Sequence, residues 1–82
     1  MTASLFTDTR GRRLALGASE ELMSAGIGLP RTDLRAMERG EAPEAMLKYY
    51  AEWLTTMEQW SVEEREIQYM AARVGRRFVR VG

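Results

Sequence analysis

At 82 residues the chain suffices for one hydrophobic core and leaves no room for a catalytic domain with a separate regulatory one. Its 45% of apolar residues predicts a folded globule, and the absence of cysteine and histidine removes disulfides, thiolate or imidazole zinc sites, cysteine nucleophiles and histidine general bases. The formal charge is zero but uneven: residues 1–40 carry +1, residues 41–60 carry −3 and residues 61–82 carry +2, with arginine supplying eleven of the twelve basic side chains.

No segment before the last few residues alternates with period two, so an all-α protein is expected. A first helix is predicted from about Asp8, capped by Thr7, to Leu16; Gly11 weakens it by roughly 1 kcal/mol relative to alanine, and Gly17 ends it. Ser19 is a good N-cap for a second helix that continues through LMSAGI, and Glu20 and Glu21 place negative charge at its positive end. Gly28 closes that helix as a left-handed residue. Pro30 suits the first turn of a third helix, from Pro30 to Arg39, with Leu34 and Met37 facing inward and Gly40 as the stop.

Pro43 opens a fourth helix, EAMLKYYAEWLTTMEQ, in which Met46, Tyr50, Trp53, Leu54 and Met57 recur in 3- and 4-residue steps. Propensity leaves open whether this helix breaks at Thr55 or Thr56. Ser61 and Glu64 form a capping box for a fifth helix, SVEEREIQYMAARV, whose Val62, Ile67, Met70 and Val74 line one side before Gly75 ends it. The tail RRFVRVG alternates arginine with Phe and Val, a pattern that fits either a short strand or a frayed, flexible terminus. No apolar run approaches the roughly 20 residues that cross a bilayer, and MTASLFTDTRGRR lacks the basic start and apolar centre of a secretory signal. A cytoplasmic protein with no membrane partner is therefore expected.

Two short helices about a glycine turn make a helix-turn-helix by spacing alone, a pattern that many proteins use without touching DNA. The fuller run over residues 17–40, GASEELMSAGIGLPRTDLRAMERG, resembles the phage-repressor and Cro family of helix-turn-helix proteins, the Xre type. Gly17, Ser19, Met23, Ser24, Gly28, Leu34, Met37, Glu38 and Gly40 fall in that family's register without insertion, and Arg13 matches its arginine six residues before the serine. The resemblance covers about residues 13–54.

It implies a single, compact five-helix repressor-like domain, with a helix-turn-helix core at about residues 19–40 and helices for packing or dimerisation at about 44–75. The third helix would then lie in the major groove of double-stranded DNA. Arg31 and Thr32 match base-reading positions, and Ala36 matches a third one turn on; Arg31 would bond guanine in bidentate fashion and Thr32 would offer a hydroxyl or touch a thymine methyl. Arg35 and Arg39 would face phosphates. Arg13 and Glu38 match a partly buried ion pair and so read as structural.

Glu20 stands where the family usually has glutamine, Pro30 replaces a hydroxyl cap, and Asp33 adds a further negative charge. With Arg31, Arg35 and Arg39 set against Glu20 and Asp33, the DNA face is close to neutral. That predicts weak, strongly salt-sensitive binding by a monomer, rescued only when a homodimer engages the two half-sites of an inverted repeat. Trp53, Met57, Trp60, Ile67 and Met70 are the expected dimer or partner surface.

The function implied is a DNA-binding transcriptional regulator, repressing by occupancy, with no cofactor and no metal. The acidic block 41–60 and Glu20 favour an alternative: a protein-binding module on the same fold, an antitoxin gripping a toxin or a phage-type inhibitor, with DNA binding weakened or lost. An enzyme using Glu63 and Glu66 as paired carboxylates is disfavoured, because those acids read as helix N-terminal charge. Arg76, Arg77 and Arg80 read as a DNA-contacting arm or a disordered polar end.

Overall fold

The computed structural model describes residues 8–80. Within them the regular structure is all α-helix: α1 spans Thr9–Ala15, α2 Glu20–Ile27, α3 Arg31–Glu38, α4 Glu44–Glu58 and α5 Val62–Arg73. Among the described residues there is no strand, and no helix is long and apolar enough to cross a membrane.

The predicted helices appear in order, with informative differences at their ends. Asp8, not Thr7, caps α1: its backbone turns left-handed at φ 59° and its carboxylate accepts a bond from the Gly11 N–H at 3.2 Å. Thr7 lies outside the described residues. A side chain on Gly11 would run into that carboxylate, so the glycine that weakens α1 also makes room for its cap. Pro30 is the N-cap of α3 rather than its first turn, because its ψ of 154° keeps it extended. Helix α4 runs unbroken past Thr55 and Thr56, whose hydroxyls bond back to the carbonyls of Ala51 and Glu52 at 3.1 and 3.0 Å.

Helix α2 sits at the centre, with α3 on one side and α5 on another, while α4 packs against α1 and α3. Met23, Ile27, Leu34, Met37, Tyr50, Leu54 and Met57 fill the space between them. Two tyrosines tie helix ends together. The Tyr69 hydroxyl donates to the Leu16 carbonyl at 2.7 Å and that of Tyr49 to the Ile27 carbonyl at 2.9 Å, each satisfying a helix C-terminal acceptor.

Two expectations are corrected. Trp53, Met57 and Trp60 are core residues, exposed by only 7%, 0% and 9%, so they form no dimer or partner surface. Helix α5 buries Gln68, Tyr69 and Ala72; Ile67 and Met70, expected at a surface, are exposed, as are Val62 and Val74. The tail is neither strand nor frayed end as far as Arg80. Phe78, 4% exposed, inserts among Trp53, Trp60 and Tyr69, with ring centroids 5.4 Å apart from Trp60 at a near-perpendicular angle. Its N–H donates to the Gly26 carbonyl at 2.7 Å, while the buried Gln68 amide both donates to the Val79 carbonyl and accepts from the Val79 N–H, at 3.0 and 3.1 Å.

Candidate nucleic-acid interface

Helix α3 is held from behind by Leu34 and Met37, both 0% exposed. Burying those positions leaves Arg31, Thr32, Arg35 and Arg39 exposed, with Asp33 and Ala36 half-buried at the margins. The approach to α3 is fixed by the turn after α2. Gly28 takes φ 74°, a backbone that a Cβ would strain, and the Ser24 hydroxyl donates to the Leu29 carbonyl across the turn. The Ser19 Oγ accepts from the Leu22 N–H at 3.1 Å and so caps the other end of α2.

The predicted DNA-facing residues are brought onto one side of the molecule, but their charges are not free. Arg35 reaches back to Glu20 with bonds of 2.9 and 3.1 Å to one carboxylate oxygen. That bonding, ahead of the nearby Arg13 and Arg31 charges, holds the Glu20 carboxyl below the usual carboxylate range. Arg39 pairs with Glu41 at 2.7 Å. Arg31 has no ion-pair partner among the described residues.

Arg10 joins this face, lining a shallow cleft with Glu20, Arg35, Glu38 and Arg39. Sequence reasoning passed it over, although its place one helical turn before Arg13 sets it on the same side of α1.

Arg13 and Glu38 meet at 2.7 Å, their side chains 4% and 5% exposed. The second guanidinium contact is 3.3 Å, and the remaining terminal nitrogen donates to the Ala18 carbonyl at 2.9 Å. The fully buried Tyr50 completes the cluster by donating its hydroxyl to Glu38 at 2.6 Å. Burial, and then this bond, push the Tyr50 phenol well above its ordinary value. The cluster links α1, α3 and α4 and lies directly behind the exposed face. Its side chains are almost fully buried and brace these three helices against one another. Tyr50 read only as a core aromatic in the sequence, since nothing in the helical period signals its hydroxyl.

The tail arginines are placed individually. The Arg77 guanidinium packs over Gly28, in the space a side chain there would need; Arg80 lies over the Trp53 ring at 5.1 Å from its centroid, and Arg76 is exposed. On the far side, Arg12 grips Glu58 through two bonds of 2.9 and 2.7 Å and Thr55 through a third at 3.1 Å, clamping α1 to α4. Ile67 and Met70 stand exposed on α5, and Glu63 lies in that helix's first turn.

Comparison with protein-family models, with curated proteins and with solved structures gives no match for this chain.

Proposed function

We propose that the chain is a sequence-specific DNA-binding regulator, acting as a homodimer and presenting α3 to the major groove. The observation that carries this reading is the first turn of α3, where Arg31 and Thr32 are exposed on a helix braced by Leu34, Met37 and the Arg13–Glu38 pair. A guanidinium fork matches the two acceptors that guanine offers in the major groove, and a threonine suits a neighbouring base edge. Arg10, Arg35 and Arg39 flank that turn, where phosphates would run. Occupancy of an inverted repeat over a promoter would make the regulator a repressor.

A second reading has its own observation. Glu20 and Glu41 engage Arg35 and Arg39, so much of the flank is already neutralised from within the chain. A protein-binding module, an antitoxin or a phage-type inhibitor, has no need of phosphate attraction and suits such a face.

Selection of random duplexes on the purified protein at roughly 100 mM salt separates the two, because phosphate contacts weaken there while base contacts persist. The expected result is enrichment of an inverted repeat, lost in Arg31→Ala and Thr32→Ala with circular dichroism unchanged. Folded protein that enriches no sequence overturns the DNA reading and leaves the protein partner.

A further inference from the structure

The outward face of α5 has no partner among the described residues. Gln68, Tyr69 and Ala72 point to the core, and at 3.6 residues per turn the positions diametrically opposite are 63, 67, 70 and 74. Ile67, Met70 and Val74 are 62%, 64% and 76% exposed. Their 3- and 4-residue steps are those of a seam between two helices, whereas scattered surface apolar residues follow no such register.

Charge is arranged about this stripe. Glu66 and Arg73 lie along the same edge of it, Glu66 toward the N-terminal half and Arg73 in the last turn, and neither has an ion-pair partner among the described residues. Glu63 heads the stripe.

We infer that α5 packs against α5 of a second copy of this chain, antiparallel, about a two-fold axis beside Met70. Two-fold symmetry makes every contact occur twice. Reversing the stripe end for end about Met70 sets that residue against Met70 of the second copy and Ile67 against its Val74. The same operation keeps each edge on its own side, so Glu66 stands beside Arg73 of the second copy at both ends of the seam. A parallel arrangement, about an axis along the seam, would carry this edge to opposite sides in the two copies and leave Glu66 and Arg73 without each other. The charges thus select the antiparallel order, and the stripe complements itself without another protein. This interface gives a surface to the homodimer of the proposed function and does not depend on what α3 binds.

The test is sedimentation of the full chain over rising concentration into the upper micromolar range, without nucleic acid. A monomer–dimer equilibrium is expected. Glu66→Arg and Arg73→Glu should each weaken self-association by about tenfold, since each creates two like-charge contacts. Mixed together, these two variants should form heterodimers, because each supplies what the other lacks. Met70→Gln, neutral and helix-compatible, should weaken the dimer with helix content intact and so tests the apolar seam independently of the charges.

A wild-type chain that stays monomeric overturns the proposal. A dimer indifferent to these three substitutions overturns it too, as does a mixture of the charge variants that does not associate. Because no DNA is present, each of these results is separate from the duplex selection.

Discussion

The Arg13–Glu38–Tyr50 cluster shows what a single residue can cost when its partners are buried. Arg13→Ala would leave the Glu38 carboxylate inside the protein with only the Tyr50 hydroxyl as donor. An uncompensated buried charge costs about 3–5 kcal/mol, so urea unfolding should register a loss of that order. Tyr50→Phe removes one hydrogen bond to a charged acceptor and leaves the ion pair, and should cost about 1.5–3 kcal/mol. If the tyrosine change proves the more damaging, the ion pair is not what holds α1 to α3. The exposed clamp between Arg12 and Glu58 behaves differently. The Arg12 bond lowers the Glu58 carboxyl, so its contribution is fully present above the unfolded carboxylate value and is lost as pH falls through the lowered folded one. With side chains 25% and 41% exposed, the pair is worth at most about 1 kcal/mol. Glu58→Gln should therefore lower stability slightly at neutral pH and flatten its acid decline between about pH 5 and 3, as followed by denaturant midpoints.

At the scale of elements, the caps and glycine stops were legible because their chemistry is local. Ser19, Gly28, Gly40 and Ser61 act through bonds to residues a few positions away. The burial of Gln68 and the fate of the tail were not legible, for one shared reason. Gln68 is buried to bond the backbone of Val79, so the apolar period of α5 marks the face that the tail leaves uncovered. A polar residue satisfied by a distant stretch of chain defeats any pattern built on hydrophobicity. The tail in turn depends on Gly26, where a side chain would overlap the Phe78 ring. Phe78→Ala should cost about 3–5 kcal/mol by emptying the space between Trp53, Trp60 and Tyr69. Gly26→Ala alone should destabilise, since the collision outweighs a helix-propensity gain of about 1 kcal/mol. In the Phe78→Ala background the collision is gone, and the same substitution should be neutral or stabilising. Equal effects of Gly26→Ala in both backgrounds, measured by urea unfolding, would mean that the two residues do not meet.

For the molecule as a whole, zero net charge conceals a competition on one face. Arg10, Arg31, Arg35 and Arg39 lie on the side of α3, with Glu20, Asp33 and Glu41 among them. The sequence gives these residues but not their pairing, because Glu20 and Arg35 are fifteen positions apart and meet only once α2 and α3 have packed. A paired guanidinium releases no counterion on meeting a phosphate unless it first abandons its carboxylate. Each protomer should therefore show a shallow dependence of duplex affinity on salt, contrary to the salt-sensitive binding expected from the sequence, because few guanidiniums are left to neutralise phosphate. Glu20→Gln removes the competing charge from Arg35 and should strengthen nonspecific duplex binding while steepening the slope of log K against log salt by about 0.9 per protomer. Arg35→Ala in the same background should return the slope to its original value. Anisotropy of a labelled duplex across a salt series measures both. An unchanged slope in Glu20→Gln would place Arg35 away from phosphate, and the charge on α3 would then have to be understood through the contacts of a protein partner.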